Sequence, residues 1–130
     1  MLLNSEDAIM QKLLKSFVVT VLASSLATTA AFAHAFLDHA TPAVGATVSG
    51  SPSELVLSFT QGVVTAFSSV SVSGDGGSVP ASKPVNDPSN QQIIHVRLGH
   101  ALKPGSYTVT WHVLSVDTHR TEGSYRFTVS

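Results

Sequence analysis

Six histidines occur in the 130-residue sequence, and all of them follow residue 33. Imidazole is the commonest metal-ligand side chain, so each is a candidate donor. His34 is the most informative. It directly follows Ala31-Phe32-Ala33, a small-residue pattern of the kind that signal peptidase cuts. Cleavage after Ala33 makes His34 the N-terminal residue. Its α-amino nitrogen and its imidazole can then close one chelate ring on a single ion. An α-amino group has a pKa of about 7.7–8.0, so exchanging its proton for a metal costs little at neutral pH. Two nitrogens from one residue suit Cu(II), which favours N/O donors in tetragonal geometry and heads the Irving–Williams order.

Asp117-Thr118-His119 is the second candidate element. It falls in the connection between a strand ending near Ser115 and one starting near Ser124. Residues two apart in an extended segment point to the same side. Asp117 and His119 can therefore add a carboxylate and an imidazole to the two nitrogens of His34, an N3O set that Cu(II) accepts. Taken alone, the triplet equally describes a turn aspartate beside a solvated histidine. The other histidines read as surface residues. His95 and His112 have the opposite parity to their apolar neighbours and face away from the core, His100 falls in a turn, and His39 sits beside Asp38 near the N-terminus.

The elements that must position these residues are strands. Leu55, Leu57 and Phe59 alternate with polar or smaller neighbours, as do Val70 and Val72, then Ile94, Val96 and Leu98. Tyr107, Val109, Trp111 and Val113 continue the pattern, and Tyr125, Phe127 and Val129 close it. Apolar residues at every second position put one face of each strand on a core. Turn residues separate the runs at Thr41-Pro42, Ser51-Pro52, Gly74 to Gly77, Asn86 to Pro88 and Lys103 to Gly105. Short strands with frequent turns and no convincing helix predict an all-β fold of about seven strands, a sandwich or barrel. Phe59, Trp111, Tyr125 and Phe127 are its expected large core members. The polar stretch from Gly74 to Gln92 is expected to form a long connection or loop.

Residues 1–33 read differently. Lys12 and Lys15 precede the apolar run Phe17 to Ala23, and a small-residue tract follows. This is the charged, apolar and small order of a secretory signal peptide. The run is too short and too rich in Ser and Thr to serve as a span, which needs roughly 20 apolar residues. The expected organisation is therefore a cleaved signal over 1–33 and one β domain over 34–130. The formal net charge is −1, and no basic patch points to nucleic acid. Cysteine is absent, which excludes disulfides, thiolate metal sites and thiol nucleophiles.

With those residues in view, the chain resembles the CopC family of periplasmic copper-binding proteins. His34-Ala35-Phe36-Leu37 is similar to the family's H-A-x-L start, and Leu55 to Gln61 resembles its L-x-F-S/T-E/Q stretch. Gly105 to His119 resembles the G-x-Y-T-V-x-W-x-V-L-S-x-D-x-H signature, and Gly123 to Val129 its G-x-x-x-F-x-V ending. The resemblance implies a Greek-key β-sandwich or barrel, Ig-like and similar in outline to cupredoxins. It implies a Cu(II) site made of His34, Asp117 and His119, and a CopD-like inner-membrane protein as partner. Two departures stand out. Some relatives carry a methionine-rich Cu(I) site, whereas the two methionines here are Met1 and Met10, both ahead of the expected cleavage point. A Cu(II)-only protein is therefore expected. Many relatives also have Glu where this chain has Gln61, and a neutral amide can hydrogen-bond but brings no charge to a site.

The functional expectation is a monomeric, non-catalytic periplasmic protein that sequesters or delivers copper. Two other readings remain at this stage. A terminal histidine with a second histidine also resembles the copper brace of lytic polysaccharide monooxygenases. This domain is short for that architecture, and Asp117 would fill a position that a catalytic metal leaves open. An Ig-like interaction module without metal is the other.

Overall fold

The computed structural model describes residues 34–130, so the expected signal segment lies outside the described residues. Along each predicted run the sequence alternation becomes alternation of burial. Strand β8 (Gly105–Leu114) buries Tyr107, Val109, Trp111 and Val113, and β9 (Arg120–Val129) buries Tyr125, Phe127 and Val129. Strands β3 (Glu54–Phe59), β4 (Ser69–Gly74) and β7 (Asn90–Arg97) bury Leu55, Leu57 and Phe59, Val70 and Val72, and Ile94 and Val96. Four shorter strands complete the set: β1 (Leu37–Thr41), β2 (Thr47–Val48), β5 (Gly77–Val79) and β6 (Val85–Asp87).

The nine described strands form two sheets, ordered β1-β3-β7-β6 and β2-β9-β8-β4-β5. All pairings are antiparallel except β2 with β9. The chain crosses between sheets at β1–β2, β2–β3, β3–β4, β5–β6 and β7–β8, so the inner faces share one core, as in Greek-key sandwiches. The polar stretch after Gly74 is not one long loop. It contributes β5 and β6, because Val79 pairs with Val72 and Val85 with His95. Only the neighbouring strands make these short pieces regular, and no alternation announces them.

Two aromatic contacts organise the interior. Phe59 and Trp111 meet edge to face with ring centroids 5.3 Å apart, joining the two sheets. Tyr107 stacks on Phe127 at 5.7 Å. Trp111 lies directly across from Gly123, and a Cβ there would come within 2.9 Å of Cε2 of the indole. Gly123 is therefore the space into which the indole packs. Among the described residues no helix is long and apolar enough to cross a membrane.

Candidate metal centre

The β8–β9 connection is a turn, not the extended segment that residue spacing suggested. The Thr118 N–H donates to the Ser115 carbonyl at 2.9 Å, and the Ser115 N–H donates to the His119 carbonyl at 2.9 Å. Thr118 has φ 71°, the left-handed region that β-branched residues avoid. That conformation, rather than strand geometry, brings Asp117 and His119 to one side. The turn is anchored from outside as well. Val63 bridges to Ser115, and the Val116 N–H donates to the Gly62 carbonyl at 2.9 Å. Asn86 braces that anchor, donating to the carbonyls of Val63 at 3.0 Å and Gln91 at 3.1 Å.

Inside the turn, Ser115 is the buried hub. Its hydroxyl donates to Asp117 Oδ1 and lies 3.1 Å from the His119 carbonyl. The His119 N–H also donates to Oδ1, at 3.3 Å. The Ser115 hydrogen bond first, then the backbone N–H and charge of His119, hold the Asp117 carboxyl below its usual value. Asp117 is thus an anion over the whole physiological range, with Oδ1 occupied by the protein.

His34 reaches this turn from the other end of the domain. Its ring lies 4.4 Å, centroid to centroid, from that of His119 and tilts 58° to it. His34, Asp117 and His119 each bring one donor atom to within 4.8 Å of the others. Two buried polar atoms in this group have no hydrogen-bond partner in the protein: Nδ1 of His34 and Oδ2 of Asp117. Burying such atoms unpaired is costly; Trp111 Nε1 and Tyr125 OH are also unpartnered, but only these two lie within one cluster of metal-type donors. Nδ1 is also the ring nitrogen that can close a six-membered chelate with the same residue's backbone nitrogen; Nε2 is too far round the ring. The donor set fits a borderline-to-hard ion that favours nitrogen with one carboxylate oxygen.

The remaining histidines lie outside this cluster. His39 pairs with Asp38 at 3.0 Å, His112 with Glu122 across the β8–β9 ladder at 3.0 Å, and His100 with the Ala101 carbonyl at 2.9 Å. His95 points outward from its sheet but is not simply solvated. Its Nε2 lies 2.9 Å from Asp87 and its Nδ1 3.5 Å from Glu54. Sequence spacing did not single out Ser115, although it sits inside the L-S-x-D-x-H stretch. Neither did it reveal the left-handed Thr118.

Comparison with known proteins shows the family of the chain. Residues 37–130 match the CopC domain family. Protein YobA of Escherichia coli K12 is 41% identical over 117 residues, covering 87% of this chain and 92% of that protein. Copper resistance protein C of Xanthomonas campestris pv. juglandis is 34% identical over 118 residues, covering 85% and 91%. Among solved structures, CopC from Methylosinus trichosporium OB3b superposes with a TM-score of 0.69 at 35% identity, over 75% of this chain and 94% of that one. PcoC of Escherichia coli, described as a methionine-rich copper resistance protein, superposes with a TM-score of 0.68 at 25% identity, over 75% and 99%.

Proposed function

This chain belongs to the CopC family of copper-binding, copper-resistance proteins, and on that premise we propose that its exported form begins at His34 and holds one Cu(II) ion. The ligands are the amino nitrogen and Nδ1 of His34, the carboxylate of Asp117 and the imidazole of His119. The observation that carries this reading is the pair of orphaned buried atoms, His34 Nδ1 and Asp117 Oδ2, within a three-residue cluster. In the 130-residue chain the His34 nitrogen is a peptide amide, bonded to Ala33. Removal of residues 1–33 turns it into a basic amine and completes the fourth donor.

Three nitrogens and one oxygen match the preference of Cu(II), and all four come from the protein. Such closure favours holding the ion over reacting with it, so the role is a periplasmic carrier that sequesters copper or passes it to a membrane partner of the CopD kind. No thioether is present after Met10, so Cu(I) gains little at this site.

The deciding experiment is a Cu(II) titration followed by EPR on two chains, one starting at His34 and one retaining Ala33. The expected result is one tight Cu(II) with nitrogen hyperfine structure in the first chain and much weaker binding in the second. Equal binding by both would remove the terminal amine from the ligand set.

A further inference from the structure

A ligand at a chain terminus is only as good as whatever holds the terminus, and ends of domains are where disorder concentrates. Here His34 to Phe36, ahead of β1, is held by two threonines, one on β9 and one just past the end of β3. The Thr121 hydroxyl, on β9, donates to the Ala35 carbonyl at 2.6 Å. The Thr60 hydroxyl, just after β3, donates to the His34 carbonyl at 3.1 Å and accepts the Phe36 N–H at 3.0 Å. The Thr60 N–H completes the clasp by donating to the Phe36 carbonyl at 2.9 Å. Between these bonds the Ala35 side chain is fully buried.

We propose that Thr60 and Thr121 are positioning residues of the copper centre, clamping the terminal tripeptide so that the amine and Nδ1 of His34 meet Asp117 and His119 already ordered. This rests on the Cu(II) reading above. The clamp has three consequences. The two hydroxyls grip successive carbonyls, of His34 and Ala35, which removes most freedom of the backbone that carries the chelate. Thr121 is two residues from His119, so one β-strand end controls both a ligand and the anchor of the opposite ligand. Finally, burial of Ala35 leaves one register. A chain one residue longer or shorter ahead of Ala35 presents its amine in the wrong place. An ordered tripeptide binds without first surrendering its conformational entropy, which is the gain of preorganisation.

The test uses the chain beginning at His34 and its Thr60→Val, Thr121→Val and Thr121→Ser variants. Valine keeps the shape and branching of threonine and deletes the hydroxyl; serine keeps the hydroxyl. Cu(II) affinity by chelator competition, the EPR spectrum and the melting temperature without metal are read on each. The expected result is a Cu(II) dissociation constant raised roughly tenfold by either valine, with broadened nitrogen hyperfine lines, and recovery in Thr121→Ser. A purely structural role would lower the metal-free melting temperature while leaving affinity and spectrum unchanged, and that outcome overturns the proposal. If the unsubstituted chain fails to bind Cu(II), the carrier reading itself falls, which is a different result. Should a valine variant not fold, amide exchange in the unsubstituted metal-free chain decides. A protected Phe36 N–H supports the clamp, and exchange at the rate of an unstructured chain overturns it.

Discussion

The hydroxyl of Ser115 donates to Oδ1 of Asp117 from within the β8–β9 turn, and Oδ2 of the same carboxylate is left buried without a partner. One oxygen is thereby committed to the protein, and the other is the one that the proposed copper ion would take. The same bond keeps the carboxylate ionised, so the site carries its negative charge before any metal arrives.

Ser115→Ala is therefore expected to weaken Cu(II) binding roughly tenfold, since a hydrogen bond to an ionised group is lost and Asp117 gains rotational freedom. The loss grows as the pH falls, because the carboxyl, no longer held down, protonates at a higher pH and then competes with copper. Chelator competition at several pH values between about 4 and 7 reads this directly. An unchanged affinity across that range would mean the hydroxyl does not tune Asp117.

Copper is expected to raise the melting temperature of the chain starting at His34, because a ligand that binds only the folded state stabilises it by mass action. At a free ion concentration of a thousand times Kd the gain is about 4 kcal/mol, and a strong chelator should reverse it. Cu(I), kept reduced and presented under the same conditions, should give a far smaller shift because no thioether or thiolate is available. Equal shifts for the two oxidation states would contradict a site selective for Cu(II).

Thr118 carries a positive φ of 71° between Asp117 and His119. A β-branched residue in that region stores roughly 1–3 kcal/mol of strain. Thr118→Gly relieves it, at the expense of extra freedom in the unfolded chain. The metal-free melting temperature is expected to rise by a few degrees, while copper dissociates faster from the looser turn. Calorimetry and stopped-flow transfer to a chelator measure the two effects separately.

Gly123→Ala is expected to lower stability by about 1–3 kcal/mol, because the new methyl meets the Trp111 indole. Trp111 is the single tryptophan, so its emission reports the displacement during thermal or urea unfolding. A variant as stable as the parent would show that the indole can move aside without loss.

His95 and its partner Asp87 both contribute to the pH dependence of the apoprotein. The histidine's hydrogen bond to Asp87 first, and its contact with Glu54 next, raise it above its usual 6.5 despite partial burial. Asp87 is held down to about 2, chiefly by the Ser89 hydroxyl and then by His95. A raised histidine favours the folded chain fully below about pH 6.5, and that contribution fades as the pH climbs through the raised value. A lowered aspartate contributes above its usual 3.8 and loses its effect as the pH falls towards 2. The melting temperature without metal should therefore decline as the pH rises above about 6.5, with a flatter profile in Asp87→Asn. Histidine NMR titration should place His95 above 6.5 in the parent and nearer 6.5 in the variant. A parent His95 titrating at or below that value would contradict the pairing.

The alternation that placed Leu57, Phe59, Trp111 and Phe127 inside was legible because a strand's period of two is local; burial followed it residue by residue. The short strands β5 and β6 were not legible, because Gly77–Val79 and Val85–Asp87 hold no alternation of their own and become strands only beside β4 and β7. The outward direction of His95 was readable from parity, but its partners were not, since Asp87 and Glu54 come from two neighbouring strands.

The sequence by itself determined the chemistry on offer: a histidine at an expected new N-terminus, an Asp-x-His triplet, no thiol, and no methionine beyond residue 10. It also determined the alternation that makes a sandwich. Only the tertiary structure decided that these donors meet. His34 and His119 lie near opposite ends of the described domain in sequence, and what joins them is long-range: Thr121 to Ala35, Thr60 to His34, and Val63 to Ser115. Such contacts exist only after two sheets have packed and set the separation of their edges, whereas residue types and local periodicity are written along the chain.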